Sequence, residues 1–459
     1  MPFRIIIVGT GIAGLAAAIA LARSGHTVTL LEATSELRPI GGIIVLQANA
    51  NRALHSLGVY NTLSGYCAPI PHGPSTRRHD NGAFLAQTSA DAHEAEFGYP
   101  YVQYPRTEHT LKYMHPLTTY RLRPMHRADL QRVLHEAAIA LNVNIRLGCL
   151  VTAVDDNGAI PKLTIKGKES MTADLIIGAD GIHSIIRKSI AKDADCVRDS
   201  GIDITRANVP EAAVRSDVRT ADFMNHISLW CGPSSSIAVM AVRADRVLGL
   251  DCCHQRERND SIVPGRRQDI ERFKKYYKDY DPAIKLVLSH VTDANVWGLK
   301  EARPPTWIGE SGRLILIGDA AHASLPWAGQ GGGMAIEDAV SLSACLDRAE
   351  AATQIPELLK IFEDIRRPRC NLVQEWSATK GERARLTSGP ELEKRDSTFA
   401  SANAWIKAEP WDKHHVDDLP AFEAPNWKAW LSGHDAVDYT NRQLDKRYGS
   451  RAKLYQRRT

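Results

Sequence analysis

The feature that most constrains the fold is a short glycine pattern near the amino terminus. The segment GTGIAG at residues 9–14 follows an uninterrupted apolar run at residues 5–8 and precedes a stretch rich in alanine and leucine. Such an apolar run is typical of a strand buried on both faces, and the stretch after it has the composition of a buried helix. The pattern therefore predicts a strand, a tight turn and a helix, which is the opening of a parallel α/β unit.

Each glycine has a separate role in a turn of this kind. Gly9 permits the tight turn, Gly11 lets a pyrophosphate approach the backbone, and Gly14 lets the helix pack closely on the strand. The helix would direct free N–H groups and the positive end of its dipole at the phosphates. Glu32 follows a second predicted strand at residues 27–31, where its carboxylate would accept hydrogen bonds from a ribose. Because a carboxylate repels a 2′-phosphate, the pattern favours FAD or NAD over NADP at this position.

A second glycine-rich segment occurs about three hundred residues later and reads GDAAHASLPWAGQGGGMAIEDA over residues 318–339. Asp319 would end a buried strand and accept hydrogen bonds from sugar-like hydroxyls. The glycines from Gly331 onward would begin a helix whose N–H groups stabilise negative charge on a flavin ring. A plain NAD dehydrogenase has no need of a second site of this kind, so the segment favours FAD.

Four motifs in this order resemble those of the FAD-dependent aromatic monooxygenases of the p-hydroxybenzoate hydroxylase fold, in the salicylate-hydroxylase-like branch common in fungal natural-product pathways. They are GTGIAG with Glu32, MHRADLQRVL at residues 125–134, ADLIIGADGIHSIIR at residues 173–187, and the segment that begins at Gly318. The resemblance implies an α/β fold class, with a Rossmann-like FAD-binding domain, a β-sheet substrate domain and a C-terminal helical region.

By matching position, the resemblance also implies which residues hold the cofactor. Asp319 would bind the ribityl chain, and Gly331 and Gly332 would bring backbone close to the isoalloxazine. Arg127 would contact the ribityl–pyrophosphate region, and the backbone of Val45 would run beside the cofactor.

The third motif contains Asp180, Ser184 and Arg187, which the resemblance links with FAD and with transient NAD(P)H binding. Their spacing alone predicts only a turn at the end of a strand, with Arg187 paired to Asp180. Both interpretations remain open from the sequence.

Arg206 is the predicted catalytic residue. It lies in the segment ITRANVP at residues 204–210, which resembles a family strand whose arginine stands between flavin and substrate. A fixed cation in that place would stabilise a developing anion or polarise a leaving oxygen. Thr205 stands where an aromatic residue is commoner in the family. The alternative is an exposed strand arginine in a salt bridge.

The resemblance implies a monooxygenase that uses FAD, NADPH or NADH, and O₂ to hydroxylate or epoxidise an aromatic ring through a C4a-hydroperoxyflavin, in secondary metabolism. The small-molecule substrate would be a phenol, a salicylate-like compound or an indole. Two alternatives are an FAD-binding protein without catalytic activity and a flavin reductase or halogenase on the same scaffold. The W-x-W-x-I-P signature of flavin halogenases is absent from the sequence.

Composition limits the partners and the compartment. The net charge of +4 over 459 residues is too small to indicate nucleic acid, and residues 440–459 alone contribute seven basic residues against one acidic residue. No run of about 20 apolar residues predicts a transmembrane segment. Eight cysteines without a C-x-x-C pair favour a reducing, cytoplasmic location, and no metal-ligand pattern occurs. A monomer or homodimer is expected.

The same motifs predict how the chain divides into domains. The α/β segments flank a middle region whose short apolar runs between turn residues indicate an antiparallel sheet. The expected division is a discontinuous FAD-binding domain of residues 1–69, 105–190 and 303–380, a β-rich substrate domain of residues 70–104 and 191–302, and a C-terminal region with a basic tail at residues 381–459.

Overall fold

The computed structural model describes residues 2–37, 42–64, 74–87, 125–192, 195–242, 246–257, 265–405 and 427–448. The strands in these ranges, in chain order, are β1 Arg4–Val8, β2 Thr27–Leu31, β3 Ile43–Ile44, β4 Ser75–Arg78, β5 Phe84–Gln87, β6 Met125–His126, β7 Asn144–Arg146, β8 Val151–Asp155, β9 Lys162–Ile165, β10 Met171–Thr172, β11 Leu175–Gly178, β12 Val197–Pro210, β13 Ile227–Gly232, β14 Ser235–Val242, β15 Val247–Gln255, β16 Arg266–Arg267, β17 Ala294–Ala302 and β18 Leu314–Leu316.

The α-helices in the same ranges are α1 Ile12–Arg23, α2 Ala48–Ser56, α3 Tyr60–Ser64, α4 Arg127–Ala140, α5 Ile185–Ala191, α6 Glu211–Arg215, α7 Ile270–Lys275, α8 Pro282–Ser289, α9 Asp319–His322, α10 Gly331–Leu346, α11 Ile355–Ala384, α12 Pro390–Trp405, α13 Trp427–Ser432 and α14 Ala436–Tyr448. Within the part of the chain that these ranges cover, no helix combines the length and the apolar character that a bilayer span needs.

A parallel sheet forms the first layer of the fold, with the strand order β18-β11-β1-β2-β7. All four strand pairs are parallel, and the apolar side chains of β1 and β11 are buried as uninterrupted apolar runs predict. Helix α1 is buried along almost its whole length and packs against α4 and α10. The carboxyl ends of β1, β2, β11 and β18 therefore meet at one edge, next to the beginnings of α1, α5 and α9.

An eight-stranded sheet forms the second unit, with the order β16-β17-β12-β15-β14-β13-β4-β5. Its middle strands are antiparallel, as the sequence predicts for residues 204–253. Strand β4 lies outside that range and pairs with β13 in the parallel sense. This strand comes from the earlier part of the chain, so no hairpin sets its direction. The fold class is the predicted one, an α/β unit with a separate β-sheet and helices at the carboxyl terminus.

The two faces of the large sheet have different neighbours. Side chains of one face, including Ala207 and Val209, pack with Phe273 and Tyr277 around α7 and α8. On the opposite face, side chains cluster with Trp327, which belongs to the loop before α10. Alternation along β12 places Arg206 on this second face, so the sheet presents that face to the parallel-sheet unit.

Of the carboxyl-terminal helices, α13 packs on α2, and α14 packs on α10, α11 and α2. Of the predicted domain boundaries, those at residues 69/70 and 104/105 lie outside the described residues, and so does the basic tail beyond Tyr448. The boundary at 190/191 lies at the end of α5, that at 302/303 directly follows β17, and that at 380/381 lies inside α11. The division into domains stays a prediction.

Candidate functional site

The predicted cofactor residues meet at the carboxyl edge of the parallel sheet. Gly9 follows β1, Glu32 follows β2, Asp180 follows β11, and Asp319 begins α9 just after β18. Three of the four motifs thus come together because parallel neighbouring strands end at the same edge of a sheet.

The glycine loop has the geometry that a pyrophosphate requires. Gly9 has a φ of +105°, and a Cβ atom there would lie 2.5 Å from the carbonyl oxygen of Ala179. A Cβ atom on Gly14 would lie 2.0 Å from the carbonyl oxygen of Gly9, whereas one on Gly11 would meet no atom of the described residues within 4 Å. The first turn of α1 has no side-chain cap and no acidic residue. Its N–H groups and the open space at Gly11 therefore fit the phosphates of a dinucleotide.

Glu32 is tied to the glycine loop through Thr10. The backbone N–H of Thr10 donates to the Glu32 carboxylate at 3.1 Å, and the hydroxyl of Thr10 donates to the same oxygen. Thr34 donates to the other oxygen from its backbone N–H at 3.0 Å. Burial acts to raise the pKa of Glu32, but the hydrogen bonds from Thr10 and Thr34 outweigh it and lower that pKa below its ordinary value. The Thr34 hydroxyl donates a fourth hydrogen bond, so a ribose diol would bind this ionised carboxylate by exchanging with the two threonine hydroxyls. The role of Glu32 at a ribose stays a prediction.

Asp319 and the start of α10 lie at the other end of this edge. Asp319 is exposed between the buried residues Gly318 and Ala320, and no described residue donates a hydrogen bond to its carboxylate. Helix α10 begins at Gly331 without a side-chain cap and without an acidic residue in its first turn. Gly331 and Gly332 are partly exposed there. The Asp319 carboxylate can accept hydrogen bonds from ribityl hydroxyls. The N–H groups at the start of α10 can stabilise negative charge on a flavin ring.

The segment of residues 42–45 passes directly over the start of α10. A Cβ atom on Gly332 would lie 2.6 Å from Cδ1 of Ile44, so the two chains are in close contact. Val45 follows Ile44 and is half-buried. The sequence predicts that this segment runs beside the cofactor. The contact of Ile44 with Gly332 places the segment at the predicted flavin end of the site.

Arg127 is the exposed first residue of α4. Its backbone N–H donates to the carbonyl oxygen of Gly42 at 3.1 Å, which holds the segment 42–45 at the start of the helix. One turn later, the Gln131 side chain donates to the carbonyl oxygen of Thr10 at 2.9 Å. Gln131 was not predicted from the sequence. Its signal is the spacing of four residues from Arg127, which places both side chains on one face of α4.

The Asp180 motif has a structural role in the described chain. The Asp180 carboxylate accepts hydrogen bonds from Ser184 Oγ and from the backbone N–H of Ile185 at 2.8 Å, which caps α5. Arg187 is buried, and its guanidinium donates to the carbonyl oxygens of Gly181, Ile182 and, at 2.9 Å, Ala320. Among the described contacts of Arg187 there is therefore no ion pair with Asp180. Arg187 instead holds α5 against the loop that carries Asp319.

Arg206 lies against the segment 42–45 from the side of the large sheet. A Cβ atom on Gly42 would lie 2.7 Å from Cδ of Arg206, and Nε of Arg206 is 3.2 Å from Oδ1 of Asp251. The side chains are 30% and 15% exposed. Burial raises the pKa of Asp251, and the charge of Arg206 opposes that rise. Arg206 thus has the ion-pair partner of the alternative interpretation, but it is half-buried beside the predicted cofactor segment.

A network of buried charged side chains contacts the loop that carries Asp319. The side chain of Asp338 accepts hydrogen bonds from the backbone N–H of Gly318 at 3.0 Å, from His322 Nε2 and from Arg366 Nε at 2.9 Å. Asp338, His322 and Cys370 lie close enough together to suggest metal ligands. However, Asp338 already accepts three hydrogen bonds, and the Arg366 cation disfavours a second positive charge. The cluster fits a role in fixing the position of Asp319.

Comparisons with known proteins agree with this geometry. Residues 3–377 match the family model described as FAD binding domain. The chain is 30% identical over 413 residues to 3-amino-4-hydroxybenzoate 2-monooxygenase of Streptomyces cremeus, covering 88% of this chain and 94% of that protein. It is 28% identical over 410 residues to an FAD-dependent monooxygenase of Nectria sp, covering 87% of this chain and 89% of the relative.

The fold is also that of a solved salicylate hydroxylase substrate complex. The two structures superimpose with a TM-score of 0.75 at 23% sequence identity, over 99% of each chain. The family match covers most of the chain, and the residues it covers include both glycine segments and the strands that position them. The chain therefore belongs to the FAD binding domain family, and it is an FAD-dependent monooxygenase.

Proposed function

We propose that the protein hydroxylates or epoxidises an aromatic ring of a small molecule, with NADPH or NADH as the reductant. For hydroxylation the balance is substrate–H + O₂ + NAD(P)H + H⁺ giving substrate–OH + H₂O + NAD(P)⁺. The observation that carries the proposal is the position of Arg206, which faces the segment 42–45 from the large sheet. The Arg206 side chain extends from the sheet toward the predicted flavin end of the site.

The chemical class of the substrate follows from the site and from a relative. We propose a phenol, a salicylate-like compound or an indole, because these rings are electron-rich. The name of the Streptomyces relative specifies a hydroxylated benzoate ring. We further propose a role in secondary metabolism and a cytoplasmic location, as a monomer or homodimer. The seven cysteines described by the structure are all free thiols, which agrees with a reducing compartment.

Bound FAD supplies the transfer of reducing equivalents from the nicotinamide and the activation of O₂. The residues of the chain bind and orient the reactants. Gly11 and the first turn of α1 would bind the pyrophosphate, Glu32 the adenosine ribose and Asp319 the ribityl chain. The N–H groups at Gly331 would stabilise negative charge on the ring system.

Arg206 would act on the substrate oxygen. A guanidinium held in place by Asp251 can donate a hydrogen bond to a phenolic oxygen and stabilise partial negative charge that develops there during the reaction, while Asp251 offsets much of its net charge. Because the ion pair is only partly exposed to water, its electrostatic effect on the substrate is larger than on an open surface.

Replacing Arg206 tests the proposed function. We expect Arg206→Ala to retain FAD but to lower aromatic turnover about 100-fold, the usual loss for a group that stabilises transition-state charge. Product formation and NAD(P)H oxidation are measured with panels of phenols, salicylates and indoles. Arg267→Ala, at an arginine that is 77% exposed on β16, is the matched control and should keep full activity. Unchanged turnover in Arg206→Ala would remove this residue from the site.

A further inference from the structure

Arg206 and Asp251 are partners across two neighbouring strands. Arg206 on β12 pairs with Asp251 on β15, and Asp251 pairs in turn with Ala238 on β14. Cross-strand partners project from the same face of a sheet. Both side chains therefore face the segment 42–45, where a Cβ atom on Gly42 would lie 2.9 Å from Nε of Arg206 and 3.4 Å from Oδ1 of Asp251.

Within the described ranges of the chain, much of the hydrogen-bonding capacity of this pair is unused. A guanidinium has five N–H donors and a carboxylate accepts about four hydrogen bonds. Among the described residues, the pair makes only the bond from Nε of Arg206 to Oδ1 of Asp251. The Nη donors and Oδ2 thus remain for water or a ligand, in a place where both groups are largely shielded from solvent. The indole ring of Trp297 lies 5.5 Å from the guanidinium carbon and adds an aromatic wall.

The charges of the pair determine which ligand it favours. An unpaired arginine would attract a carboxylate, but here the Asp251 anion neutralises Arg206 at a distance of 3.2 Å. A ligand carboxylate that approached the guanidinium would meet a second anion beside it, and like charges in contact are a strong source of discrimination. A neutral ligand edge with one donor beside one acceptor would satisfy Oδ2 and the Nη groups together without any charge penalty.

We infer that Arg206 and Asp251 form a single recognition site for neutral aromatic substrates that carry a hydrogen-bond donor beside an acceptor, such as a phenol next to a carboxamide or a lactam. Asp251 is the specificity-determining residue of this site. The inference rests on the proposed function and narrows it, because it removes aromatic carboxylates from the preferred substrates.

Salicylamide and salicylate test the inference, because they differ in little besides charge. Dissociation constants are measured on the FAD-loaded protein without NAD(P)H, from the change in flavin absorbance. We expect the wild-type protein to bind salicylamide at least tenfold more tightly than salicylate. Asp251→Asn keeps an oxygen for Arg206 but removes the negative charge, and it should reduce that ratio at least tenfold as salicylate binding improves.

Asp293→Asn is the matched control, since Asp293 is 64% exposed in an ion pair with Arg267 at the edge of the same sheet. It should leave the ratio unchanged. Tighter binding of salicylate, no measurable binding of salicylamide, or an unchanged ratio in FAD-loaded Asp251→Asn would overturn the inference. If Asp251→Asn loses FAD, the ratio of the dissociation constants of salicylate and salicylamide in the wild-type protein still tests the inference. The proposed function fails on a different result, the absence of NAD(P)H oxidation stimulated by any aromatic compound.

Discussion

At the scale of single residues, Glu32 shows how a carboxylate can be prepared for a ligand by the protein. Donors from Thr10 and Thr34 hold both carboxylate oxygens and keep its pKa low despite burial, so the group is ionised when a ribose arrives. Thr10 lies inside the glycine loop. The adenosine-binding and phosphate-binding ends of the predicted site are therefore connected by one residue.

We expect Glu32→Gln to weaken FAD binding at least tenfold, because a hydrogen bond to a charged acceptor contributes about 1.5–3 kcal/mol. The dissociation constant of FAD is measured on deflavinated protein by quenching of flavin fluorescence. Glu310→Gln alters an exposed surface pair with Lys192 and should bind FAD as the wild-type protein does. Equal affinities for FAD in all three proteins would show that Glu32 does not bind the ribose.

At the scale of elements, two glycines in one loop differ in whether the protein leaves space for a side chain. Gly14 is required by the protein itself, because a side chain would collide with the backbone of Gly9. Gly11 has space around it, so its lack of a side chain serves no packing contact in the described chain. In this loop, Gly14 is thus required for folding, whereas Gly11 is predicted to be required for ligand binding.

Two alanine substitutions test that separation. Gly14→Ala should lower the stability of the FAD-free protein by about 1–3 kcal/mol, the usual cost of forcing atoms into a packed region. Gly11→Ala should change the thermal unfolding of the FAD-free protein little but weaken FAD binding at least tenfold, since its methyl group would occupy the approach of the pyrophosphate. If Gly11→Ala binds FAD normally, the phosphates do not approach the loop at this residue.

The elements also explain what the sequence alone predicts. Uninterrupted apolar runs and turn glycines are local signals, so the strands that end at the site and the beginnings of α1 and α10 follow from them. The partners of those residues come from distant elements. Asp251 lies on another strand of the large sheet from Arg206, and Gln131 reaches Thr10 from α4. Neither contact has a local signal, because each joins two elements that are far apart in the sequence and meet only when one unit is folded.

At the scale of the whole molecule, one buried arginine joins the carboxyl-terminal helices to the cofactor side of the fold. Arg369 on α11 donates to both carboxylate oxygens of Glu337 on α10, at 2.9 and 3.0 Å. It also donates to the carbonyl oxygens of Trp430 and Leu431 in α13, at 3.0 and 2.9 Å. Asn49 of α2 donates to the same Glu337. Four helices, α2, α10, α11 and α13, therefore meet at Glu337, which also forms an ion pair with Arg366.

Arg369→Met should lower the free energy of unfolding by about 3–5 kcal/mol, because it leaves the buried Glu337 carboxylate with one fewer partner and two carbonyl oxygens without a donor. The measurement is equilibrium unfolding in urea, followed by circular dichroism and by flavin release. Arg132→Met removes an exposed arginine with two surface ion pairs on α4 and should cost less than about 1 kcal/mol. Release of FAD at a lower urea concentration than loss of helix would indicate that the carboxyl-terminal helices stabilise the cofactor site in particular. A loss as small as that of Arg132→Met would mean that other contacts hold α13 in place.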